Sequence, residues 1–340
     1  MGNVRATRRP RVPNGFDILW ELQPIKPETL PKVTVTSDSD VLDVKHELDR
    51  IAGSSSRLES RIGDVLRRAL DKSYDGANTG RFHLEQLSKT EKAHTGTLFE
   101  VELQQEFDLP DGHDTDYQVL QFDVDAKYSH GKSWMIGPEI EGNLALLATA
   151  DDYKGEWSAW LVWVKPGRRN SGANRDAKSS LNLSGREARV VIAEHSKLPP
   201  NNLLARPNDA FEVMRRSGTR QGTQRINELC RRFDGVLLSR STVATVAQQL
   251  DPTKRMRENG GARTHLAPEG IIVVGFEHHY RVVTDALGLP HPANGEFLPL
   301  RVNPASQNEV EAHFIDADGN RWRRARPGEA PDGVPRLVAG

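Results

Sequence analysis

The sequence has little cysteine, no long apolar run and almost no net charge. Its 340 residues include a single cysteine, Cys230, so no disulfide can form within the chain, and no Cys/His spacing resembles a zinc site. No segment approaches the ~20 apolar residues of a membrane-spanning helix. Arginines near the N-terminus are followed by Pro10 and Pro13, where a signal peptide would need an apolar stretch. These absences predict a protein of the reducing cytoplasm, without a membrane anchor.

The small net charge hides an uneven distribution. The chain carries 46 Lys and Arg against 47 Asp and Glu, a formal charge of -1. Between Arg206 and His265, however, there are twelve Lys and Arg against six Asp and Glu, whereas the stretch from Glu100 to Asp125 is acidic. A basic region suits a polyanion and an acidic region suits cations. The charge pattern therefore predicts different ligands for the two parts of the chain.

Changes in composition divide the chain into an arm, two domains and a linker. The length exceeds the roughly 100 to 200 residues of a typical domain. Residues 1–40 are rich in Pro, Arg, Ser, Thr and Asp and lack periodicity, which predicts a disordered N-terminal arm. The Pro- and Asn-rich stretch 197–208 predicts a linker. The expected domains are therefore residues 41–196 and 209–340.

The first domain is predicted to be a mixed α/β structure. Apolar residues recur at helical spacing in 41–51, 58–70 and 92–107, and in the second segment they are Ile62, Val65, Leu66 and Ala69. Residues 117–128, 144–148 and 157–164 have the alternation or β-branched and aromatic content of strands. A capping pattern from Ser184 to Glu187 predicts a further helix, and the domain is expected to end near Glu194.

The second domain is predicted to contain a helix-turn-helix. Helices are expected at 209–216, 224–233 and 241–250, with the first two joined by a loop at 217–223. Strands near 270–275 and a hairpin around 316–320 would close the domain. Short helices with tight joins are typical of helix-turn-helix units that bind DNA.

The residues that most strongly indicate catalysis are Asp116, Asp125 and Lys127. Positions 125 and 127 share one face of a strand, so their carboxylate and ammonium groups point to the same site. Asp116 precedes the strand and can direct its carboxylate to that site. Two converging carboxylates suit Mg2+, which takes oxygen ligands and retains several waters. The lysine would orient the attacking water, deprotonate it, or neutralise charge on the phosphorane, and the sequence leaves these three roles open.

A simpler interpretation of the same residues is a salt-bridged surface, which explains most Asp-x-Lys patterns on exposed strands. The context favours a metal-dependent nuclease, because an upstream acid, a preceding helix with Glu100 and following strands occur in the expected order. Glu100 is a candidate third acidic ligand; its alternative is a solvated carboxylate on a helix.

Basic residues of the second domain are candidates for DNA contacts. Lys254, Arg255, Arg257 and Arg263 flank Gly260 and Gly261, where small residues allow the backbone to approach a phosphate. The alternative is a solvated basic loop. Arg240 begins the segment where a recognition helix could present polar side chains to base edges.

From about residue 61 to residue 327 the chain resembles the NaeI type of restriction endonuclease. The resemblance rests on short motifs in order across both halves, namely Tyr-Asp-Gly at 74–76, Thr-Gly-Arg at 79–81, Lys-Thr-Glu-Lys at 89–92, Gly-Thr-Leu at 96–98, Thr-Asp-Tyr at 115–117, Ala-Asn-Arg-Asp at 173–176, Ala-Thr-Val-Ala-Gln-Gln at 244–249, Gly-Gly-Ala-Arg at 260–263 and Pro-Glu-Gly-Ile-Ile at 268–272. The resemblance implies an N-terminal PD-(D/E)xK endonuclease fold and a C-terminal helix-turn-helix domain of the winged, catabolite activator protein kind, with topoisomerase-like character. It also implies catalytic roles for Glu100, Asp116, Asp125 and Lys127, of which the three acids would bind Mg2+.

The same resemblance implies how such an enzyme works. Members of the type IIE class look like homodimers that bind two sites on double-stranded DNA, one of which is cleaved while the other acts as effector. A GC-rich palindrome such as GCCGGC is the implied target, and a cognate DNA methyltransferase is expected in the host. The family also resembles DNA ligases around the segment before Tyr74. Ligases place a nucleophilic lysine where this chain has Ser73, which argues against strand-rejoining activity. Two other functions are compatible with the sequence, a DNA-binding regulator that does not cleave and a nicking or topoisomerase-like enzyme.

Overall fold

The computed structural model describes residues 27–215, 222–249, 251–257, 260–309 and 313–337. Its helices are α1 (Asp38–Ala52), α2 (Ser55–Tyr74), α3 (Gly76–Thr79), α4 (Lys89–Phe107), α5 (Leu183–Glu187), α6 (Asn202–Ala205), α7 (Pro207–Arg215), α8 (Gly222–Arg232), α9 (Arg240–Ala247), α10 (Ala262–Leu266) and α11 (Arg281–Leu287). Its strands are β1 (Tyr117–Val119), β2 (Phe122–Tyr128), β3 (Leu144–Asp151), β4 (Glu156–Trp163), β5 (Val190–Lys197), β6 (Ile271–Val274), β7 (Leu298–Pro304), β8 (His313–Ile315) and β9 (Arg321–Arg324). Among the helices of these ranges, none combines the length and apolarity needed to cross a membrane.

The strands form two sheets. Strands β1 to β5 lie side by side in chain order, with β2 and β3 parallel and the other neighbouring pairs antiparallel. The second sheet is antiparallel and has the order β6-β7-β9-β8. The prediction of a mixed α/β structure is therefore confirmed.

One face of the first sheet is covered by helices and the other by an irregular segment. Helices α1, α2 and α4 bury their apolar faces in one cluster with the sheet, and Ile62, Leu66 and Phe99 are fully buried there, as their spacing predicts. Residues 134–140 and Leu181 cover the opposite face, packing on Ala145, Leu147 and Trp160. Full burial of one such large apolar side chain contributes about 1.5 to 3 kcal/mol. The sheet is thus held on both faces, and β2 is fixed between β1 and β3.

The charged sequence at residues 89–92 is the start of α4. The Ser88 hydroxyl accepts a hydrogen bond from the N–H of Glu91, and the Glu91 carboxylate accepts one from the N–H of Ser88 at 2.8 Å. This reciprocal cap satisfies two backbone donors that the helix itself leaves without partners. The sequence there is a structural signal rather than a site.

A turn divides the predicted strand 117–128 into two. Leu120 takes a left-handed conformation with φ 58°, and the chain reverses so that Tyr117 pairs with Val124 and Val119 with Phe122. The single-strand prediction is wrong because alternation continues through Leu120 and Gln121 and conceals the reversal. The reversal brings Asp116 beside Asp125, so the correction explains how these two acids meet.

The end of the first sheet also differs from the prediction. Helix α5 is capped by the Asn182 side chain, which accepts a hydrogen bond from the N–H of Gly185, rather than by Ser184. The helix has only five residues, and β5 follows it as a fifth strand that the sequence interpretation missed. The expected end near Glu194 therefore falls inside a strand.

The C-terminal half has its own apolar clusters. Helices α7 to α10 bury residues such as Ile226, Leu229 and Val243 together with one side of β6, while α11 covers a second cluster on the same sheet. The three predicted helices and both strand regions are present, although α9 begins after the Ser239 cap rather than at Ser241. The predicted loop 217–223 lies largely outside the described residues.

The predicted linker is anchored by two asparagines. The Asn201 amide donates to the Phe82 carbonyl at 2.7 Å and to the Asp152 carboxylate at 3.1 Å, on the N-terminal side. Asn202 is buried; its amide donates to the Leu237 carbonyl at 3.0 Å, and its side-chain oxygen accepts from the Ser239 N–H at 3.0 Å. Asn201 thus attaches the connecting segment to the N-terminal half of the chain, and the adjacent Asn202 attaches it to the C-terminal half.

Asn202→Ala should destabilise the protein measurably. The substitution leaves the Leu237 carbonyl and the Ser239 N–H without their buried partner, which typically costs about 1 to 3 kcal/mol. The free energy of unfolding, measured by urea titration, reports this loss. Asn78→Ala is the matched control, because Asn78 is exposed and its side chain contacts only Asp75, and it should change stability by less than about 0.5 kcal/mol. Equal stability of the two variants would contradict the anchoring role.

Candidate active site

Asp125 and Lys127 lie on the same face of β2, as predicted. The ammonium nitrogen of Lys127 is 2.5 Å from Asp125 Oδ2, and both side chains are largely withdrawn from water. This contact is a close ion pair, and the Asp125 Oδ2 atom is buried. A carboxylate offers about four lone-pair sites, so Asp125 can accept a further ligand beside Lys127.

Asp116 is held against the same strand by the backbone. Its Oδ2 atom accepts a hydrogen bond from the N–H of Ala126 at 2.7 Å. Ala126 lies between Asp125 and Lys127, so this bond fixes the Asp116 carboxylate next to both of them. The predicted convergence of these three residues is present, and the hairpin at Leu120 produces it.

Glu100 reaches the same group of side chains from α4. Its backbone carbonyl accepts a hydrogen bond from the Tyr117 hydroxyl at 2.5 Å, which ties the helix to β1. Burial, followed by the charge of Asp116 and a hydrogen bond with it, raises the pKa of Glu100 to about 7, although Lys127 acts in the opposite direction. Glu100 is therefore within the electrostatic reach of Asp116 and Lys127 and is not an ordinary solvated helix carboxylate.

Burial also raises the pKa of Asp125, to about 6. The Lys127 ammonium lowers this pKa, while the carboxylates of Asp116 and Glu139 raise it further. Glu139 lies in a 3-10 turn at Pro138–Ile140 and was missed by the sequence interpretation. No strand or helix period connects Glu139 to Asp125, so only the path of the irregular segment brings its charge near.

The donor set fits Mg2+ bound by one or two carboxylates and water. Among the described residues, no three Asp, Glu, His or Cys side chains converge tightly enough to enclose a metal by themselves. Mg2+ needs no such cage, because it normally keeps several waters and takes only one or two carboxylates. Asp125 and Asp116, which lies beside it, have the carboxylate oxygens that such a site would use.

The candidate DNA-contacting residues differ in how they are held. Arg240 is exposed at the start of α9, and Lys254 and Arg257 are exposed in and after a 3-10 turn. Arg255 is partly buried and donates to the Gln249 side chain. Arg263 is held inside the protein, where it pairs with Glu277 at 3.0 Å and lies over the Tyr280 ring.

Much of the positive charge counted in residues 206–265 serves internal contacts. Arg225 is buried and donates to the carbonyls of Val246 and Ala247 at the end of α9, whereas Arg231 pairs with Glu269 at 2.7 Å. Arg232 pairs with Glu228, also at 2.7 Å. The charge excess of the sequence therefore overstates the number of cations that a polyanion could contact.

A cavity of about 730 Å³ lies between the two halves of the chain, away from the carboxylates. Its lining includes Arg67, Tyr74 and Ser241 but none of the four candidate catalytic residues. Glu100, Asp116 and Lys127 remain partly exposed outside this cavity, so a large substrate can reach them.

Comparison with known proteins agrees with this geometry. A family model described as restriction endonuclease NaeI matches residues 55–332. The type II restriction enzyme NaeI of Lentzea aerocolonigenes is 41% identical over 306 residues, which are 86% of this chain and 96% of the relative. The matched range includes every candidate catalytic and DNA-contacting residue, and the resemblance predicted from the sequence motifs is confirmed. The chain belongs to the NaeI family of type II restriction endonucleases.

Proposed function

We propose that the chain cleaves double-stranded DNA at a specific sequence by Mg2+-dependent hydrolysis of a phosphodiester bond in each strand. The observation that carries this proposal is the convergence of Glu100, Asp116, Asp125 and Lys127 on one strand and its neighbours, in a member of a restriction endonuclease family. A family relative that covers most of the chain is named as a type II restriction enzyme.

Each residue of the cluster has a chemical task in this proposal. Asp116 and Asp125 would hold the cation, with Glu100 as a third acidic ligand; Mg2+, when bound, supplies Lewis-acid activation of the scissile phosphate. Lys127 contributes a positive charge 2.5 Å from Asp125, so it can orient the attacking water and offset negative charge on the phosphorane. Hydrolysis forms a bond from the water oxygen to phosphorus and breaks the bond to the leaving sugar oxygen; the water loses one proton and the leaving oxygen takes one up, so no net proton is consumed at the bond that is cut.

The order of the helices and strands supports a PD-(D/E)xK nuclease domain and a winged helix-turn-helix domain. An acid before a hairpin, followed by Asp-x-Lys on the next strand of a mixed sheet, has the order of a PD-(D/E)xK nuclease. In the C-terminal half, α8 and α9 pack through Arg225 and their apolar residues, and α9 presents Arg240 at its exposed start. We assign α9 as the recognition helix of a winged helix-turn-helix.

We further propose a homodimer that binds two DNA sites, one in each kind of domain, with a GC-rich palindrome such as GCCGGC as the target and a methyltransferase that protects host DNA. Arg240, Lys254, Arg255 and Arg257 form the proposed C-terminal contact with DNA. Arg263 holds α10 against β6 through Glu277 and the Val273 carbonyl, and we leave it out of the contact.

Asp125→Asn and Lys127→Gln should abolish cleavage without weakening DNA binding. Both substitutions keep the size of the side chain but remove a group that serves the metal, water or phosphate, which should lower the rate by about 100-fold or more. Cleavage of supercoiled plasmid in Mg2+ and gel-shift binding without metal measure the two effects separately.

Lys154→Ala is the matched control for Lys127, because Lys154 is exposed and pairs only loosely with Asp151. It should cleave like the wild type. Near-normal cleavage by either site variant would refute the assignment of the site, and nicked plasmid without linear product from the wild type would favour a nicking enzyme.

Metal binding should strengthen as the pH rises through the raised pKa values of Asp125 and Glu100, about 6 and about 7. Both carboxyls are neutral below these values, and a neutral carboxyl is a poor ligand. Without metal, the free energy of unfolding changes with pH in the opposite direction. A raised folded-state pKa stabilises the folded protein at low pH, and this stabilisation is lost as the pH rises through about 7. Thermal denaturation with and without Mg2+ should therefore show a larger metal-induced increase in Tm at about pH 8 than at about pH 5.5. Glu100→Gln should remove the part of this pH dependence that lies near pH 7. A metal-induced increase in Tm that does not change with pH would contradict the prediction.

Occupation of the C-terminal domain should accelerate cleavage by the N-terminal domain. A plasmid with one site should be cut slowly, and a short duplex containing the site should speed cleavage; binding at the two sites should be coupled by about 5- to 150-fold in affinity. The double variant Lys254→Ala/Arg257→Ala should lose this stimulation and reduce the log-log salt slope of duplex binding by about 2. A duplex of equal length without the site is the control, and equal rates with and without the effector would disprove two-site activation.

A further inference from the structure

Residues 29–33, which we call the strap, lie across the loop that carries Asp116. The strap belongs to the predicted disordered arm, but the structure differs from that prediction here. Its Thr29 hydroxyl donates to the Asp111 carbonyl at 2.9 Å, and the N–H of Val33 donates to the Gln121 carbonyl at 2.8 Å. The strap therefore contacts both the start of this loop and the turn between β1 and β2.

The side chain of Gln118 fastens the middle of the strap to β1. It accepts a hydrogen bond from the N–H of Leu30 at 2.6 Å and donates to the carbonyl of the same residue at 2.8 Å. The ring of His113 makes a further contact with that carbonyl at 2.9 Å. The strap is thus attached to β1 and to the loop independently of any apolar packing.

Residues 111–116, which we call the acidic loop, are also held by Asp123. Its carboxylate is fully buried and accepts hydrogen bonds from the N–H groups of His113, at 3.1 Å, and Asp114, at 2.8 Å. Asp123 lies two residues before Asp125 on β2. The strand that provides one proposed metal ligand therefore also holds the loop that provides the other.

Lys32 of the strap completes this arrangement. Its ammonium lies 3.3 Å from the buried Asp123 carboxylate and 2.5 Å from the exposed Asp114 carboxylate. Removal of one partner from a buried charge is costly, because the remaining charge stays away from water. Loss of Lys32 would leave the Asp123 carboxylate without this cation. We expect this to weaken the hydrogen bonds that Asp123 accepts from the acidic loop.

We propose that Lys32 is a positioning residue for the metal site, acting through Asp123 and the acidic loop to fix the carboxylate of Asp116. This inference rests on the proposed function, because it assumes that Asp116 binds the catalytic cation. Lys32 precedes residue 55, where the match to the family model begins. Residues that orient a metal ligand typically change metal affinity by about 10- to 100-fold when they are removed.

The test compares full-length Lys32→Ala, Lys32→Arg and Thr29→Ala with the wild type. Lys32→Ala should bind Mn2+ about 10-fold or more weakly in titrations followed by electron paramagnetic resonance, and it should need correspondingly more Mg2+ for half-maximal cleavage. The rate at saturating Mg2+ and DNA binding without metal should remain near the wild-type values. Hydrogen exchange at the amides of His113 and Asp114 should become faster. Lys32→Arg should keep the wild-type metal affinity, because it keeps the positive charge. Thr29→Ala removes one hydrogen bond of the strap and should weaken metal binding less than Lys32→Ala does.

Lys45→Ala is the matched control, because Lys45 forms a similar half-buried pair with Asp49 on α1 and should leave metal affinity unchanged. Wild-type Mn2+ affinity in Lys32→Ala, with or without faster exchange, would overturn the positioning role while the proposed function stands. Failure of the wild type both to bind Mn2+ and to cleave DNA would instead reject the proposed function and this inference with it.

Discussion

Mutual repulsion among the carboxylates of Glu100, Asp116 and Asp125 is the constraint on which the rest of the site depends. Burial makes this repulsion stronger than it would be in water. Burial itself is the largest cause of the raised pKa values of Glu100 and Asp125, and the neighbouring carboxylates raise them further. The fold holds the acids together with rigid attachments: a backbone N–H donates to Asp116, and the Tyr117 hydroxyl fixes the α4 backbone at Glu100. The helices on one face of the sheet and the irregular segment on the other prevent the strands from separating to relieve the strain.

A cluster of buried carboxylates that repel one another attracts a cation. Lys127 offsets part of the negative charge, but its ammonium faces the acids Asp125, Asp116 and Glu100. A divalent cation bound by these oxygens would reduce the remaining repulsion. In the proposed function, the stabilisation by bound metal and the chemistry of cleavage would therefore have the same physical origin.

The sequence predicts those parts of the structure that depend on local periodicity. The buried faces of α2 and α4 follow from their helical spacing, and the shared face of Asp125 and Lys127 follows from strand alternation. The reversal at Leu120 could not be predicted, because a leucine with positive φ has no local sequence signal. The contribution of Glu139 and the contact of Lys32 with Asp123 join distant segments, so only the folded chain shows them.

The motif Tyr-Asp-Gly at 74–76, which helped to identify the family, has a structural task between the two halves of the chain. A Cβ atom on Gly76 would lie 2.0 Å from the hydroxyl of Thr245 on α9, so only glycine allows the two segments to approach so closely. The Tyr74 hydroxyl donates to Asp152 at 2.8 Å, and the same carboxylate accepts from Asn201 of the connecting segment.

The surroundings of Gly76 bring the proposed recognition helix against the N-terminal half of the chain. Arg67 of α2 is buried and pairs with Asp152 and with Asp71, and Asp71 lines the same cavity as Ser241 of α9. A ligand shifts an equilibrium only if it binds two states with unequal affinity. A displacement of α9 would change the packing of Thr245 against Gly76, because the two segments approach too closely there for any side chain at position 76. If the C-terminal half binds DNA as proposed, this interface connects its occupancy to α2, whose buried face supports the sheet that carries Asp125.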